Sequence, residues 1–196
     1  IQISDSGKKS KTSSDAVEND FLSVLDEVKN KIIKTGFTDL DREIKGLLPG
    51  RVYVVGGIPT VGKTTFILNM VQSICKQDKK VLFASLEMPY EDVITKLISD
   101  LGDEDMESVR DLDSLDDEKK GKVSKKAVDL ASNIAGYNLH FIGKEAITVV
   151  DIENEVGILG DVDIVFIDYL QKITPINLKV SRYEQISQIS KDIKYL

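Results

Sequence analysis

At 196 residues the chain is long enough for one α/β domain with a substantial core and short for two. Its 41% hydrophobic and 30% charged residues are a globular composition, and no apolar run approaches the ~18 residues that span a bilayer, so a membrane protein is not expected. The net charge of -7 argues against a uniformly basic surface for nucleic acid, and any DNA contact has to be local or shared among several copies. One cysteine, Cys75, leaves no internal disulfide framework and no cysteine zinc cluster, which suits a reducing, cytosol-like compartment.

Residues 1–14 are rich in Ser, Lys and Gly with almost nothing to bury, and read as a disordered tail or remnant outside the fold. Over 15–34 the spacing of Val17, Phe21, Val24, Leu25, Val28 and Ile32 predicts a helix with one apolar stripe. Such a linker helix needs a docking surface, on its own domain or on a neighbouring subunit. The remainder, 35–196, is the expected core. Thr38-Asp39-Leu40-Asp41 reads as a helix start, and Leu48-Pro49-Gly50 as a break. Arg51 to Val55 and Val81 to Ser85 are short β-branched or apolar runs that predict strands framing a helix from Thr64 to Lys76, the pattern of a parallel sheet. A helix is expected over Tyr90 to Leu101. Asp103 to Glu118 then carries nine acidic side chains against Arg110, and five lysines follow between Lys119 and Lys126; this reads as a solvated face with charges paired locally. Strands are expected at Leu139 to Ile142 and Ile164 to Ile167, helices at Thr148 to Ile158 and Tyr183 to Leu196. His140 reads as a core or edge residue of its strand, and Cys75 as a small buried hydrophobe.

The strongest chemical signal is Gly57-Ile58-Pro59-Thr60-Val61-Gly62-Lys63-Thr64, a full match to the phosphate-loop pattern GxxxxGK[ST]. Phosphates need converging backbone N–H groups, a loop without bulky Cβ atoms in the way, and the positive end of a helix; a loop between a strand and a helix supplies all three. Mg-ATP is therefore the expected ligand of Gly57 to Thr65, with Lys63 reaching the β- and γ-phosphates and the Thr64 hydroxyl on Mg²⁺. Asp168 closes the apolar run Ile164 to Ile167, the sheet edge where a carboxylate can hold the same metal. Glu87 follows the strand Val81 to Ser85, where it serves either as a helix cap or as the base that activates water beside the γ-phosphate.

Gly36 to Leu40, Leu48-Pro49-Gly50, the phosphate loop, Ser85-Leu86-Glu87-Met88 and Asp168-Tyr169-Leu170-Gln171 follow one another as in the ATPase domain of DnaB-type replicative helicases, which the chain resembles from about Asp15 to Leu196. The Asp-Tyr-Leu-Gln string is the most specific part of that likeness. The resemblance implies a RecA-like P-loop core with a mainly parallel sheet flanked by helices. It further implies ATP-driven movement on single-stranded DNA, a homo-hexameric ring, and contact with a primase or helicase loader in a cytoplasmic or nucleoid, bacterial or phage setting. By position it makes Lys63 and Thr64 the phosphate and metal residues, Glu87 the catalytic glutamate, Asp168 the metal ligand and Gln171 a candidate sensor. The segment Thr174 to Arg182 lies where RecA-like proteins place a DNA-contacting loop, so Lys179 and Arg182 are candidate phosphate contacts.

The departures are a polar sensor strand and an arginine-finger segment that family members carry past this point. The core is therefore expected to be incomplete on its C-terminal side. The arginines are Arg42, Arg51, Arg110 and Arg182, too few for the closing lid of a small-molecule kinase. The alternatives that stay open are a recombinase-like or regulatory P-loop ATPase without unwinding activity and a nucleotide-sensing module.

Overall fold

The computed structural model describes residues 22–26, 28–102, 106–111, 113, 115–136, 138–143 and 146–196. The expected tail over residues 1–14 lies outside them, as does the first part of the linker helix. Residues 22–26 and 28–30 are helical (α1). The following elements are α2 (Thr38–Ile44), α3 (Lys63–Cys75), β1 (Val81–Ser85), α4 (Tyr90–Gly102), α5 (Met106–Arg110), α6 (Asp117–Gly136), β2 (Leu139–Ile142), α7 (Val149–Leu159), β3 (Ile164–Asp168) and α8 (Arg182–Tyr195).

The strands form one three-stranded sheet in the order β2-β1-β3. Both pairings are parallel, with Val81 opposite Leu139 and Ile164, and Ser85 opposite Asp168. All five residues of β1 are buried, as befits the central strand of a parallel sheet covered on both faces. Alternate side chains divide between two cores. Val81 and Phe83 join Leu68, Val71 and Ile74 of α3 and Val93 and Leu97 of α4 on one face. Leu82 and Ala84 join Val149 and Ile152 of α7 and Ile189 of α8 on the other. Phe83 is fully buried with its ring 5.9 Å from Phe141 and 6.4 Å from Phe166, so the three strands are sewn together by aromatic contacts as well as by their ladders. His140 lies half-buried in the outer strand β2, and Cys75 is buried at the end of α3, where desolvation pushes its thiol up to about 11.

One strand expectation is overturned. Arg51 to Val55 is not a strand: residues 51–58 carry no ladder and are exposed throughout, Val54 at 85%. Its composition suits a strand, but β-branched residues make one only when they pair with a neighbour's backbone, and this segment joins neither β1, whose two edges are taken, nor the outer edge of β2 or β3. The segment is held by other means. Leu48 N donates to the Tyr53 hydroxyl at 3.0 Å, and Lys194 Nζ of α8 donates to the Gly50 carbonyl. A cleft of about 610 Å³ separates Val52 from Tyr183, Ile186 and Lys194.

The acidic and lysine-rich stretch is largely helical, as α5 and α6, and its charges pair locally: Arg110 with Asp92 at 2.7 Å and Lys122 with Glu118 at 2.6 Å. Ahead of α2, the Asp41 carboxylate accepts from Thr35 N at 2.9 Å and Gly36 N at 3.3 Å, and Ile33 bridges Leu47 antiparallel, so the 33–47 segment is closed on itself. Phe37 stacks on Phe66 of α3 with ring centroids 4.6 Å apart, anchoring that closed segment on the helix that begins at the phosphate loop.

Candidate nucleotide site

The phosphate loop leads directly into α3, whose N-cap is Gly62 at φ 95°. Only glycine adopts that conformation without strain, and it turns the chain so that the first amides of the helix face the loop's concave side. Gly57 answers a different need. A Cβ there would come within 3.0 Å of Val61 and 3.5 Å of Lys63, so the loop closes over this position because it has no side chain. Lys63 bends back over the loop, its Nζ donating to the Gly57 carbonyl at 3.0 Å and the Ile58 carbonyl at 2.8 Å. The ammonium therefore lies against the loop's own backbone. Ile58, Pro59, Thr60 and Val61 are exposed along the loop, and Thr65 lies half-buried one residue into the helix after Thr64.

Across the site, the Thr64 hydroxyl donates to Asp168 Oδ2 at 2.8 Å, joining residues 104 positions apart in the chain. Asp168 is 6% exposed at the carboxyl end of β3, and Leu86 N donates to its carbonyl at 2.8 Å, which continues the β1–β3 register past the strand end. The Asp168–Tyr169 peptide is cis. A hydroxyl and a carboxylate in contact at the head of a helix form the oxygen donor set that magnesium takes when phosphates and water complete its shell. Among the described residues no group of three or more His, Cys, Asp or Glu is placed to hold a metal.

Glu87 is exposed on the bend that leaves β1, beside the strand that ends in Asp168. Ser85, which sequence reasoning did not single out, shapes that bend: its hydroxyl donates to the Met88 carbonyl at 2.6 Å and closes the turn around Glu87. A hydroxyl residue ending an otherwise apolar strand was the available signal. Gln171 is exposed in the 3₁₀ turn Leu170–Lys172, three residues past Asp168. Lys179 is exposed on the loop that follows, with its backbone N–H turned inward to Asn177 Oδ1 at 3.0 Å. Arg182 is not simply a free surface charge; its guanidinium donates to the Gln171 carbonyl and to Gln185 Oε1 at 3.0 Å.

A parallel sheet with helices on both faces, a glycine-capped phosphate loop and a carboxylate at the end of the neighbouring strand define a P-loop ATPase domain of RecA type. The family model of the DnaB-like helicase C-terminal domain matches residues 32–196, and the chain belongs to that family. It is 28% identical over 212 residues to the replicative DNA helicase DnaB of Haemophilus influenzae, covering 96% of this chain and 44% of that protein. With DnaB of Helicobacter pylori strain 26695 it shares 32% identity over 170 residues, 84% of this chain and 33% of the relative. The chain thus spans less than half the length of these relatives. Among solved structures it superposes on an isolated ATPase domain with a TM-score of 0.79 at 28% identity, covering 95% of this chain and 67% of that one. A DnaB-like replicative helicase studied with its interactions with primase gives the same TM-score and identity, over 93% of this chain and 46% of that one.

Proposed function

We propose that this chain is the motor portion of a replicative DNA helicase, binding Mg-ATP at Gly57 to Thr65 and hydrolysing it to move along single-stranded DNA. The observation that carries the reading is the 2.8 Å contact between the Thr64 hydroxyl and the Asp168 carboxylate, two oxygen donors side by side at the start of α3 that support a shared metal. Bound Mg-ATP supplies the reactive phosphoanhydride. With the nucleotide bound, Lys63 would be the cation for the phosphates, Thr64 and Asp168 would hold the magnesium, and Glu87 would be the base for the attacking water. Gln171, three residues past Asp168, is the candidate sensor that would report the γ-phosphate to the loop beyond it. Lys179 on that loop is offered to a DNA phosphate.

Support for assembly comes from α1, where Leu22, Val24, Leu25 and Val28 are 50%, 55%, 38% and 47% exposed. An apolar stripe left open on its own domain is what a subunit-linking helix presents, so the reading includes a homo-hexameric ring in a cytoplasmic or nucleoid setting. No described helix is long and apolar enough to cross a membrane. Contact with a primase, named for one structural relative, extends to this chain as part of the same proposal.

The test is nucleotide calorimetry beside phosphate release, with and without single-stranded DNA, on the full-length protein. Lys63→Ala should abolish nucleotide binding. Glu87→Gln should keep it while turnover falls by roughly 10²- to 10⁴-fold, the range of a lost general base. Unchanged affinity in the lysine variant, or turnover indifferent to single-stranded DNA in the wild type, would sink the motor reading.

A further inference from the structure

The loop 173–181 is tied down at both ends. At its start Ile173 is 1% exposed, and Thr174 N donates to the Ile147 carbonyl at 2.7 Å. At its end Ser181 caps α8, and Arg182, the first residue of that helix, reaches back across the loop's base. Its Nη2 donates to the Gln171 carbonyl, and its Nη1 to Gln185 Oε1 at 3.0 Å. Between these ties Ile176 and Leu178 stand 73% and 74% exposed. A guanidinium carries five donors in one rigid plane, so it can hold a backbone carbonyl and a side chain on α8 together; a lysine ammonium has no such fork. Gln171 lies three residues past Asp168, whose carboxylate takes the Thr64 hydroxyl. The connection from the base of the loop to the Asp168 carboxylate is one hydrogen bond to the Gln171 carbonyl and three residues of backbone.

We propose that Arg182 is a positioning residue for nucleotide turnover rather than a nucleic-acid phosphate contact: its guanidinium fixes the turn Leu170–Lys172 against α8, so that displacement of the loop by bound single strand is passed to Asp168. The proposal rests on the motor reading of the site. The guanidinium of Arg182, although exposed, is engaged with two neutral oxygens of its own chain, and Lys179 on the loop itself is the group offered to a phosphate instead.

The experiment compares full-length wild type with Arg182→Ala, Arg182→Lys and Gln185→Ala. It measures oligothymidylate affinity against salt, kcat and KM for ATP at saturating oligothymidylate, and amide hydrogen exchange over Leu170 to Thr174. Arg182→Ala should leave the salt slope of DNA binding unchanged and lower DNA-saturated kcat by roughly tenfold to 10²-fold, the scale of a small misplacement transmitted to a site. KM for ATP should change little, and exchange in the turn should speed up. Arg182→Lys should recover part of kcat, and Gln185→Ala should show a weaker form of the same split. If Arg182→Ala does not fold, those two variants decide the matter by the same split. A DNA affinity loss with a salt slope shallower by about one and an unchanged saturated kcat would mark Arg182 as a phosphate contact and overturn the proposal. A wild type without DNA-stimulated turnover would overturn the motor reading itself, and unchanged exchange in Arg182→Ala would overturn the positioning role whatever the DNA result.

Discussion

The two sides of the candidate nucleotide site are built to different standards. On the side of the proposed metal pair β3 is paired along its length with β1, and Asp168 ends it at 6% exposure, its carboxylate taking the Thr64 hydroxyl and its carbonyl the Leu86 amide. On the phosphate side residues 51–58 lead into the loop with no ladder, every one of them exposed, held by Tyr53 and by Lys194. Both segments are short runs of β-branched and apolar residues. The difference is not in their propensity but in what surrounds them: one lies between two covering layers of helices, the other beside a cleft. Preorganisation here therefore resides in Asp168, Thr64 and the start of α3, while the lead-in segment is exposed and tied at the Tyr53 hydroxyl and beside it at Gly50.

That contrast is most sharply tested in the core. Phe83→Ala empties the fully buried middle of β1 and should cost about 3 to 5 kcal/mol, whereas Val54→Ser on the exposed lead-in should change stability by no more than about 0.5 kcal/mol. Urea unfolding of both variants checks it. Comparable losses would mean that residues 51–58 pack as a strand in solution, and the asymmetry would disappear.

A smaller effect separates metal binding from folding. Asp168→Asn keeps the shape and leaves an oxygen for the Thr64 hydroxyl, but removes the charge a divalent cation requires. Affinity for nucleotide in the presence of Mg²⁺ should fall by roughly 1.5 to 3 kcal/mol, the usual contribution of an interaction with a charged group, while affinity in EDTA stays the same. Equal losses with and without magnesium would assign Asp168 to the architecture alone.

The same contrast explains what can be read from the residues alone. β1, β2 and β3 are legible because an uninterrupted apolar run buried on two faces leaves few alternatives, and the phosphate loop because its chemistry demands glycine, lysine and threonine at fixed spacing. Thr64 and Asp168 are expected to share a metal, and the structure brings their side chains into contact although 104 positions separate them. Arg51 to Val55 fails as a strand because pairing belongs to the sheet and not to the segment. Arg182 reads as a DNA contact because its charge is visible in the sequence, while the path that brings the Gln171 carbonyl under its guanidinium depends on how the intervening loop folds. The turn around Glu87 escapes notice for a similar reason: the Ser85 bond to Met88 is set by backbone geometry at a strand end.

The smallest expected effect concerns the start of α8, where that arginine is anchored. Ser181 and Glu184 form a reciprocal capping box: Ser181 N donates to Glu184 Oε2 at 2.9 Å, the Ser181 hydroxyl to the same oxygen at 2.7 Å, and Glu184 N returns a bond to the hydroxyl. These bonds favour the carboxylate, so the Glu184 carboxyl is held below its ordinary value of 4.5, the side-chain bond from Ser181 contributing most. A lowered folded-state value means that the charged form binds its proton less readily in the folded chain than in the unfolded one. The stabilisation is then fully present above the ordinary value of 4.5 and is lost as pH falls through the lower folded value. The protection of the Glu184 and Gln185 amides, taken relative to their intrinsic exchange rate at each pH, should accordingly fall on acidification below pH 4.5, and Ser181→Ala, which removes both the hydroxyl acceptor and the hydroxyl donor, should flatten that response. Because Arg182 lies inside this first turn, the fraying should carry into exchange at Leu170 to Ile173 if the arginine is what holds them. Acid-induced exchange confined to α8, with the turn after β3 unaffected, would separate the cap from the arginine tie and place the anchor of Gln171 elsewhere.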